Sequence, residues 1–436
     1  MLRALTPPAE RAAAWLLVAG LYLAHLVYGA VAGPAPLVLV LAEGLALVLL
    51  LVPGWGRRSL PAPEVIRPPA IAFGLVLVAA LWSLTPFVPG GAHPAWSYVG
   101  HAGSASLQRD ATVAEIAKLL GAACLVLAGF VVGRSDERAR SALNALLWIG
   151  AAYALWTLVL FLTGGQHYET TRLNGGLPTS NIAGALFAVL AVLAGAAALS
   201  AAERREPGAG PLSGFAAAGP GWALVGLFLT CLVLTASRGA AAACGAAFLL
   251  LFGLEAWAGR IRLRTAGILA GVGLLVVALQ GALLVGRAGQ HDPTWDGRTW
   301  LFGAHWRAFQ DSPLFGYGLG GFDAVNRLYF EPKGYAYLAS AEAAHNVYLQ
   351  WLEEAGLVGA LPMFACIGLL LYATVRGMVA RRRSKTLLRG LLAASLVFLL
   401  TGFTDFALQT PSMAALWAML LGLQLGLANA STARPS

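Results

Sequence analysis

Twelve long apolar runs constrain this chain more than any other feature. A window of about 19 residues finds them at 12–32, 34–53, 68–88, 113–132, 142–163, 180–201, 220–237, 239–258, 265–286, 346–375, 386–405 and 408–428. A run of about 20 residues can cross the hydrocarbon core of a bilayer as a helix. Only 11% of the 436 residues are charged, against about 25% in a soluble domain. The sequence predicts an all-α, polytopic integral membrane protein with one transmembrane domain over 1–436.

Basic residues predict the orientation of these spans. An even number of spans puts both termini on one side, and placing them in the cytoplasm leaves nine of the 29 lysines and arginines outside. Those nine are Arg109, Lys118, Arg172, Arg238, Arg287, Arg298, Arg307, Arg327 and Lys333. Because cytoplasmic loops are normally enriched in Lys and Arg, topology explains most of the net charge of +9. We therefore expect a bilayer environment and no nucleic acid partner.

The segment 287–345 is the one long polar stretch, and five of the nine outward basic residues fall in it. We predict a periplasmic loop between the ninth and tenth spans. Aromatic residues between Arg298 and Gln310 favour a short amphipathic helix lying on the membrane surface. Positive charge is unusual on this side of a membrane protein, so the loop predicts an anionic substrate.

Three outward arginines are candidate substrate ligands. Arg238 falls between two apolar runs with almost no loop, where a guanidinium must be paired or face a polar cavity. Arg172 and Arg298 come from two other outward loops, and the planar guanidinium fork suits diphosphate oxygens. Two simpler interpretations stay open: Arg238 extending to lipid phosphate, and the other two forming loop salt bridges.

His345 begins the tenth span and is the candidate catalytic base, because an imidazole can take a proton from a sugar hydroxyl near neutral pH. Glu342 is the nearby carboxylate best placed along the sequence to orient it. The alternative is an interfacial histidine beside a helix cap at Asn346. The four cysteines lie in apolar runs without metal-ligand spacing, and no nucleotide-binding glycine loop occurs. We expect no metal and no cofactor.

An ordered set of motifs resembles the O-antigen ligase and polymerase superfamily. The motifs are Arg172-Leu173-Asn174-Gly175, Ser180-Asn181, Thr235-Ala236-Ser237-Arg238-Gly239, Gly297-Arg298, Pro313-Leu314-Phe315-Gly316-Tyr317-Gly318, His345-Asn346-Val347-Tyr348-Leu349-Gln350 and Glu354-Ala355-Gly356. Their order and spacing agree with the family along residues 165–360. The flanking spans agree only in number and hydrophobicity.

The resemblance implies a GT-C-type glycosyltransferase of the bacterial inner membrane that works on the periplasmic face. Its donor would be a glycan linked to undecaprenyl diphosphate, and it would use neither metal nor nucleotide sugar. Arg238 and Arg298 match the family's diphosphate-binding arginines, Arg172 matches a further position, and His345 matches the histidine that activates the acceptor.

The sequence leaves the acceptor open. A ligase transfers the polysaccharide to lipid A-core, whereas a polymerase transfers it to another lipid-linked repeat, and the single long loop favours the ligase by analogy of layout. A polysaccharide or lipid-oligosaccharide transporter is the third alternative. Transporters with twelve spans often contain two related halves, and no such repeat is visible in this sequence.

Overall fold

The computed structural model describes residues 8–51, 63–98, 100, 102–166, 171–203, 211–261, 267, 271, 293–329, 338, 339, 341–381 and 383–430. These residues form helices and connecting turns. In chain order the α-helices are α1 (Pro8–Leu26), α2 (Ala35–Leu51), α3 (Pro63–Ser83), α4 (Arg109–Gly133), α5 (Asp136–Leu162), α6 (Ser180–Glu203), α7 (Pro211–Leu234), α8 (Arg238–Trp257), α9 (Pro293–Asp311), α10 (Phe322–Leu328), α11 (Val347–Ala380), α12 (Lys385–Thr401) and α13 (Pro411–Ala428).

Eight helices of the described residues are long and apolar enough to cross a membrane, namely α3 to α8, α11 and α13. The prediction of an all-helical, multi-pass membrane protein is confirmed. The predicted spans near the N-terminus correspond to shorter apolar helices, Ala14–Leu26 and Ala35–Leu51. The predicted span 265–286 falls outside the described residues, apart from Gly267 and Gly271, so the number twelve stays a prediction.

Helices α6 and α13 form the centre of the bundle. Of the 18-residue apolar stretch in each helix, 89% is buried in α6 and 94% in α13. Glycines bring α13 against α4. A Cβ on Gly129 would collide with the Met419 carbonyl, and one on Gly422 with the Val126 carbonyl. In helices surrounded by lipid, small residues allow this close backbone approach and the dispersion contacts that hold helices together.

Ion pairs join the helices at one end of the bundle, where α6 and α8 finish and α12 begins. Arg389 donates to Glu255 at 2.8 Å, Arg260 contacts Glu203 at 2.5 Å, and Arg381 of the α11–α12 connection contacts Asp136 at 2.6 Å. We call this the ion-pair end. The start of α6, α8 and α11 lies at the other end, which we call the site end. Of the described basic residues, Arg260, Arg381 and Arg389, which were predicted on one side, lie at the ion-pair end. Arg172 and Arg238, predicted on the other side, lie at the site end.

Candidate functional site

The N-terminus of α11 fixes His345. Asn346 caps the helix, because its Oδ1 accepts from the backbone N–H groups of Tyr348 at 3.1 Å and Leu349 at 3.0 Å. The Val347 N–H donates to the Gly402 carbonyl at 2.8 Å, which ties this cap to the end of α12. His345 itself has a φ of 51°, a conformation that L residues adopt at a cost of about 1–3 kcal/mol and that recurs at functional sites.

Asp405 is the carboxylate beside the His345 imidazole. The predicted span extends to residue 405, but α12 ends at Thr401, so Asp405 lies in the connection to α13. Its Oδ1 is 3.9 Å from His345 Nδ1, too far for a hydrogen bond, and Nδ1 is buried without a hydrogen-bond partner in the described structure. Our prediction that Glu342 orients His345 is wrong. Glu342 is exposed and lines a cavity among α2, α4 and α11.

The environment keeps the imidazole neutral at pH 7. Burial, together with the positive charge of Arg298, lowers the pKa of His345 to about 4, because both effects disfavour a second positive charge. Burial raises the pKa of Asp405 to about 6, against the opposing effects of the Phe406 N–H, Arg298, Asn181 and Arg172. His345 can therefore accept a proton, and its side chain is 27% exposed.

Arg172 is anchored to the turn between α7 and α8. Its Nε donates to the Thr235 carbonyl at 2.8 Å, and its Nη2 donates to Asn181 Oδ1 at 2.7 Å. The neighbouring Leu173 N–H donates to the Leu234 carbonyl at 3.0 Å. These bonds hold the guanidinium where its charge lowers the pKa of Asp405.

Arg238 is the first residue of α8 and is exposed. Ser237 caps the helix by accepting from the Ala240 N–H, and Ala236 before it has a φ of 49°. The turn packs on the connection that carries Asp405, since a Cβ on Gly239 would lie 2.8 Å from Thr404 Oγ1. The local backbone thus presents Arg238 at the site end, one residue from this contact.

Arg298 is carried by α9, which a buried contact between His305 and Glu353 fastens to α11. His305 lies seven residues after Arg298, about two helical turns away and on the same face. Its Nδ1 is 2.5 Å from Glu353 Oε2, and both side chains are fully buried. The His305 ring also stacks on Phe322 at a centroid distance of 4.6 Å. The contact between α9 and α11 brings the charge of Arg298 to both His345 and Asp405.

The structure therefore brings Arg172, Arg298 and His345 together around Asp405, with Arg238 on the adjoining turn. Asp405 ends the predicted span 386–405 and Asn181 belongs to one of the motifs, but neither is among the predicted site residues. An isolated aspartate at the end of an apolar run is the signal that could have identified Asp405. Among the described residues, no group of three or more His, Cys, Asp or Glu side chains is arranged to hold a metal ion.

A comparison with protein families supports the resemblance over one part of the chain. Residues 223–364 match the family model described as O-antigen ligase. The resemblance to the O-antigen ligase superfamily is confirmed. The matched segment contains Arg238, Arg298 and His345, whereas Arg172 and Asp405 lie outside it. No curated protein matches the chain. The O-antigen ligase family comprises membrane glycosyltransferase-like enzymes, ligases and polymerases, that use lipid-linked glycans.

Proposed function

We propose that the protein is an O-antigen ligase of the GT-C type. It transfers polysaccharide from undecaprenyl diphosphate to a lipid A-core acceptor on the periplasmic face of the inner membrane, with both termini in the cytoplasm. The observation that carries the proposal is the meeting of Arg172 and Arg298 with Asp405 beside a neutral His345. Guanidinium groups suit an anionic diphosphate, and a neutral imidazole suits a proton acceptor.

In the proposed reaction, His345 takes the proton from an acceptor sugar hydroxyl while the oxygen attacks the anomeric carbon of the donor glycan. The new C–O bond forms as the bond from that carbon to the diphosphate oxygen breaks, with inversion. The electron pair leaves with undecaprenyl diphosphate, whose charge Arg238, Arg298 and Arg172 stabilise. The proton stays on the imidazole, and Asp405, with its Oδ1 3.9 Å from Nδ1, stabilises the resulting cation. No step of this reaction requires a metal or another cofactor.

The test is a lipopolysaccharide gel of a clean deletion strain of the host, complemented with the wild type or with His345→Ala. We expect the deletion to leave core without polymer while lipid-linked polymer accumulates. The wild type should restore the ladder and His345→Ala should not. Immunoblots of the membrane fraction should give equal amounts of both proteins, which separates loss of catalysis from loss of folding.

Other gel patterns would redirect the proposal. Core that carries a single repeat in the deletion strain identifies a polymerase, which uses the same donor and a lipid-linked acceptor. An unchanged ladder excludes the ligase. If His345→Ala fully restores the ladder, His345 is not the catalytic base.

A further inference from the structure

A cavity of about 320 Å³ lies among α2, α4, α11 and the segment that begins α13. This volume is within the range of about 300–1,000 Å³ typical of small-molecule sites. Apolar residues such as Leu39, Leu119 and Trp351 supply part of its wall. Its polar lining is dominated by carboxyl groups, those of Glu43, Glu115, Asp323, Glu342 and Glu354, and Lys118 is the one basic residue among the described lining residues.

Among the carboxyl groups of the cavity, Glu43 gives the evidence for a bound ligand. Lys118 contacts Glu115 on the same helix. Glu354 accepts from the Gly320 N–H at 2.8 Å and from Gln350 Nε2 at 2.9 Å. Glu43 is only 5% exposed and receives no hydrogen bond from the described residues. Burying a carboxyl group without a partner is unfavourable, so its place in the cavity wall indicates a hydrogen-bonding ligand.

The neighbouring helix makes room for this carboxyl group. A Cβ on Gly121 of α4 would collide with Glu43 Oε2 and would lie 3.1 Å from Val40. The glycine therefore leaves the space that the Glu43 side chain occupies between α2 and α4. Both helices present their surface to the cavity at this level, through Val40 and Ala122.

The cavity shares its walls with the support of His345. Gln350 lines the cavity, donates to Glu354, and accepts at Oε1 from the Ala344 N–H at 3.1 Å, one residue before His345. On the opposite wall, Leu408 follows two residues after Phe406, whose ring packs against the His345 imidazole at 4.7 Å. The cavity therefore borders the segments that hold His345 in place.

The polar groups on the two sides of His345 differ in kind. The arginine side attracts a diphosphate, whereas the described lining of the cavity is rich in carboxyl groups. Carboxyl groups can exchange hydrogen bonds with the hydroxyl groups of an uncharged sugar, and the apolar wall suits the face of a sugar ring. We propose that this cavity binds the uncharged terminal sugar of the acceptor, with Glu43 as its hydrogen-bonding partner. The proposal rests on the proposed transferase function, because it assigns the acceptor to a subsite of the same active centre.

The test measures binding separately from transfer. The probe is tritium-labelled core oligosaccharide, released from host lipopolysaccharide by mild acid and freed of phosphate, in equilibrium dialysis against the full-length protein in nanodiscs. Glu43→Leu should weaken binding at least about tenfold, because a buried sugar hydroxyl loses its hydrogen-bonding partner. Glu43→Gln keeps an acceptor oxygen and should lose less. Glu64→Leu is the matched control, since Glu64 is exposed at the start of α3, and it should bind as the wild type does.

The outcomes distinguish this proposal from the proposed function. Equal affinities of the wild type and Glu43→Leu, or no binding to the wild type, overturn the acceptor subsite even where the wild type transfers glycan. Binding that depends on Glu43 in a protein without transfer activity supports the sugar site and rejects the ligase. Unchanged thermal unfolding of Glu43→Leu in the same nanodiscs shows that its loss of affinity reflects the lost carboxyl group.

Discussion

The two ends of the helix bundle use arginine in different ways. At the ion-pair end, Arg389 contacts Glu255, and side chains of this pair are 10% and 1% exposed. At the site end, Arg172 donates to a carbonyl and to an amide oxygen, both of them neutral. Asp405, whose pKa Arg298 and Arg172 both lower, has its Oδ1 3.9 Å from His345 Nδ1 and accepts from the Phe406 N–H.

The difference separates structural charge from charge available to a substrate. When a buried arginine is paired with a glutamate, the carboxylate compensates its charge within the protein. At the site end, Arg172 and Arg298 both act on Asp405, and an anionic ligand is a suitable partner for arginines gathered beside a membrane. We infer that the ion-pair end holds the helices together and that the site end receives an anion.

The largest expected effect is on stability at the ion-pair end. Glu255→Ala leaves Arg389 buried without its carboxylate and should lower the free energy of unfolding by about 3–5 kcal/mol. The double variant Glu255→Leu with Arg389→Met removes both charges and should recover most of that loss. Thermal unfolding in detergent measures both variants. Transfer activity per folded molecule should stay at the wild-type level, and a specific loss of activity would blur the distinction between the two ends.

The next largest effect tests how α9 holds Arg298. His305→Ala removes the buried contact to Glu353 and the stacking on Phe322, so the helix that carries Arg298 should loosen. We expect the transfer rate to fall by up to about 10², the scale for loss of one charge-stabilising donor. Trp306→Ala on the same helix is the control, because Trp306 is 47% exposed. Equal transfer rates for His305→Ala and Trp306→Ala would contradict a role of Arg298, held in place by His305, in the catalytic step.

The dependence of activity on pH distinguishes the two titrating groups at the site end. His345, with a pKa lowered to about 4, is neutral above that pH, and Asp405, with a pKa raised to about 6, becomes ionised above pH 6. If the ionised Asp405 stabilises the imidazolium, kcat/KM should fall as the pH drops through about 6. Asp405→Asn should be slower, and its acid limb should lie near pH 4. The same limb in both proteins would remove Asp405 from catalysis.

The smallest expected effect is that of Arg327, an arginine of the polar segment 287–345 that pairs with a nearby aspartate. Arg327 contacts Asp323 at 2.9 Å, and their side chains are 75% and 58% exposed. Such exposed pairs contribute little because water screens them. Arg327→Ala should therefore leave the transfer rate and thermal unfolding unchanged. A large loss of activity would mean that the total positive charge of the loop matters more than the arginines around Asp405.

Much of the fold follows from the sequence because lipid imposes simple rules on length and hydrophobicity. The alternation of spans also brings Arg172, Arg238 and His345 to one end, since each lies at an outward connection. The partner of His345 could not be predicted in this way. The tie between Val347 and Gly402 joins segments more than fifty residues apart, and the end of α12 at Thr401 releases Asp405 from the apolar run.

The cavity beside Glu43 also could not be predicted from the sequence. Glu43 was recognisable as a carboxyl group inside an apolar run, but its surroundings depend on the packing of α2 against α4 at Gly121. A single sequence gives no register for that contact. Hydropathy therefore finds such residues, and only the packing of the helices shows whether a ligand could reach them.

Binding of the donor diphosphate by arginine is tested most directly by the transfer rates of Arg298→Lys and Arg238→Lys. Both are measured in a reconstituted assay with the lipid-linked donor. Lysine keeps the positive charge but loses the planar fork that can bind two diphosphate oxygens. We expect a transfer rate lower by about 10² to 10³ for each variant, with thermal unfolding unchanged. Full activity of both lysine variants would contradict this expectation, because the arginines would then act as general positive charge and not as ligands of the diphosphate.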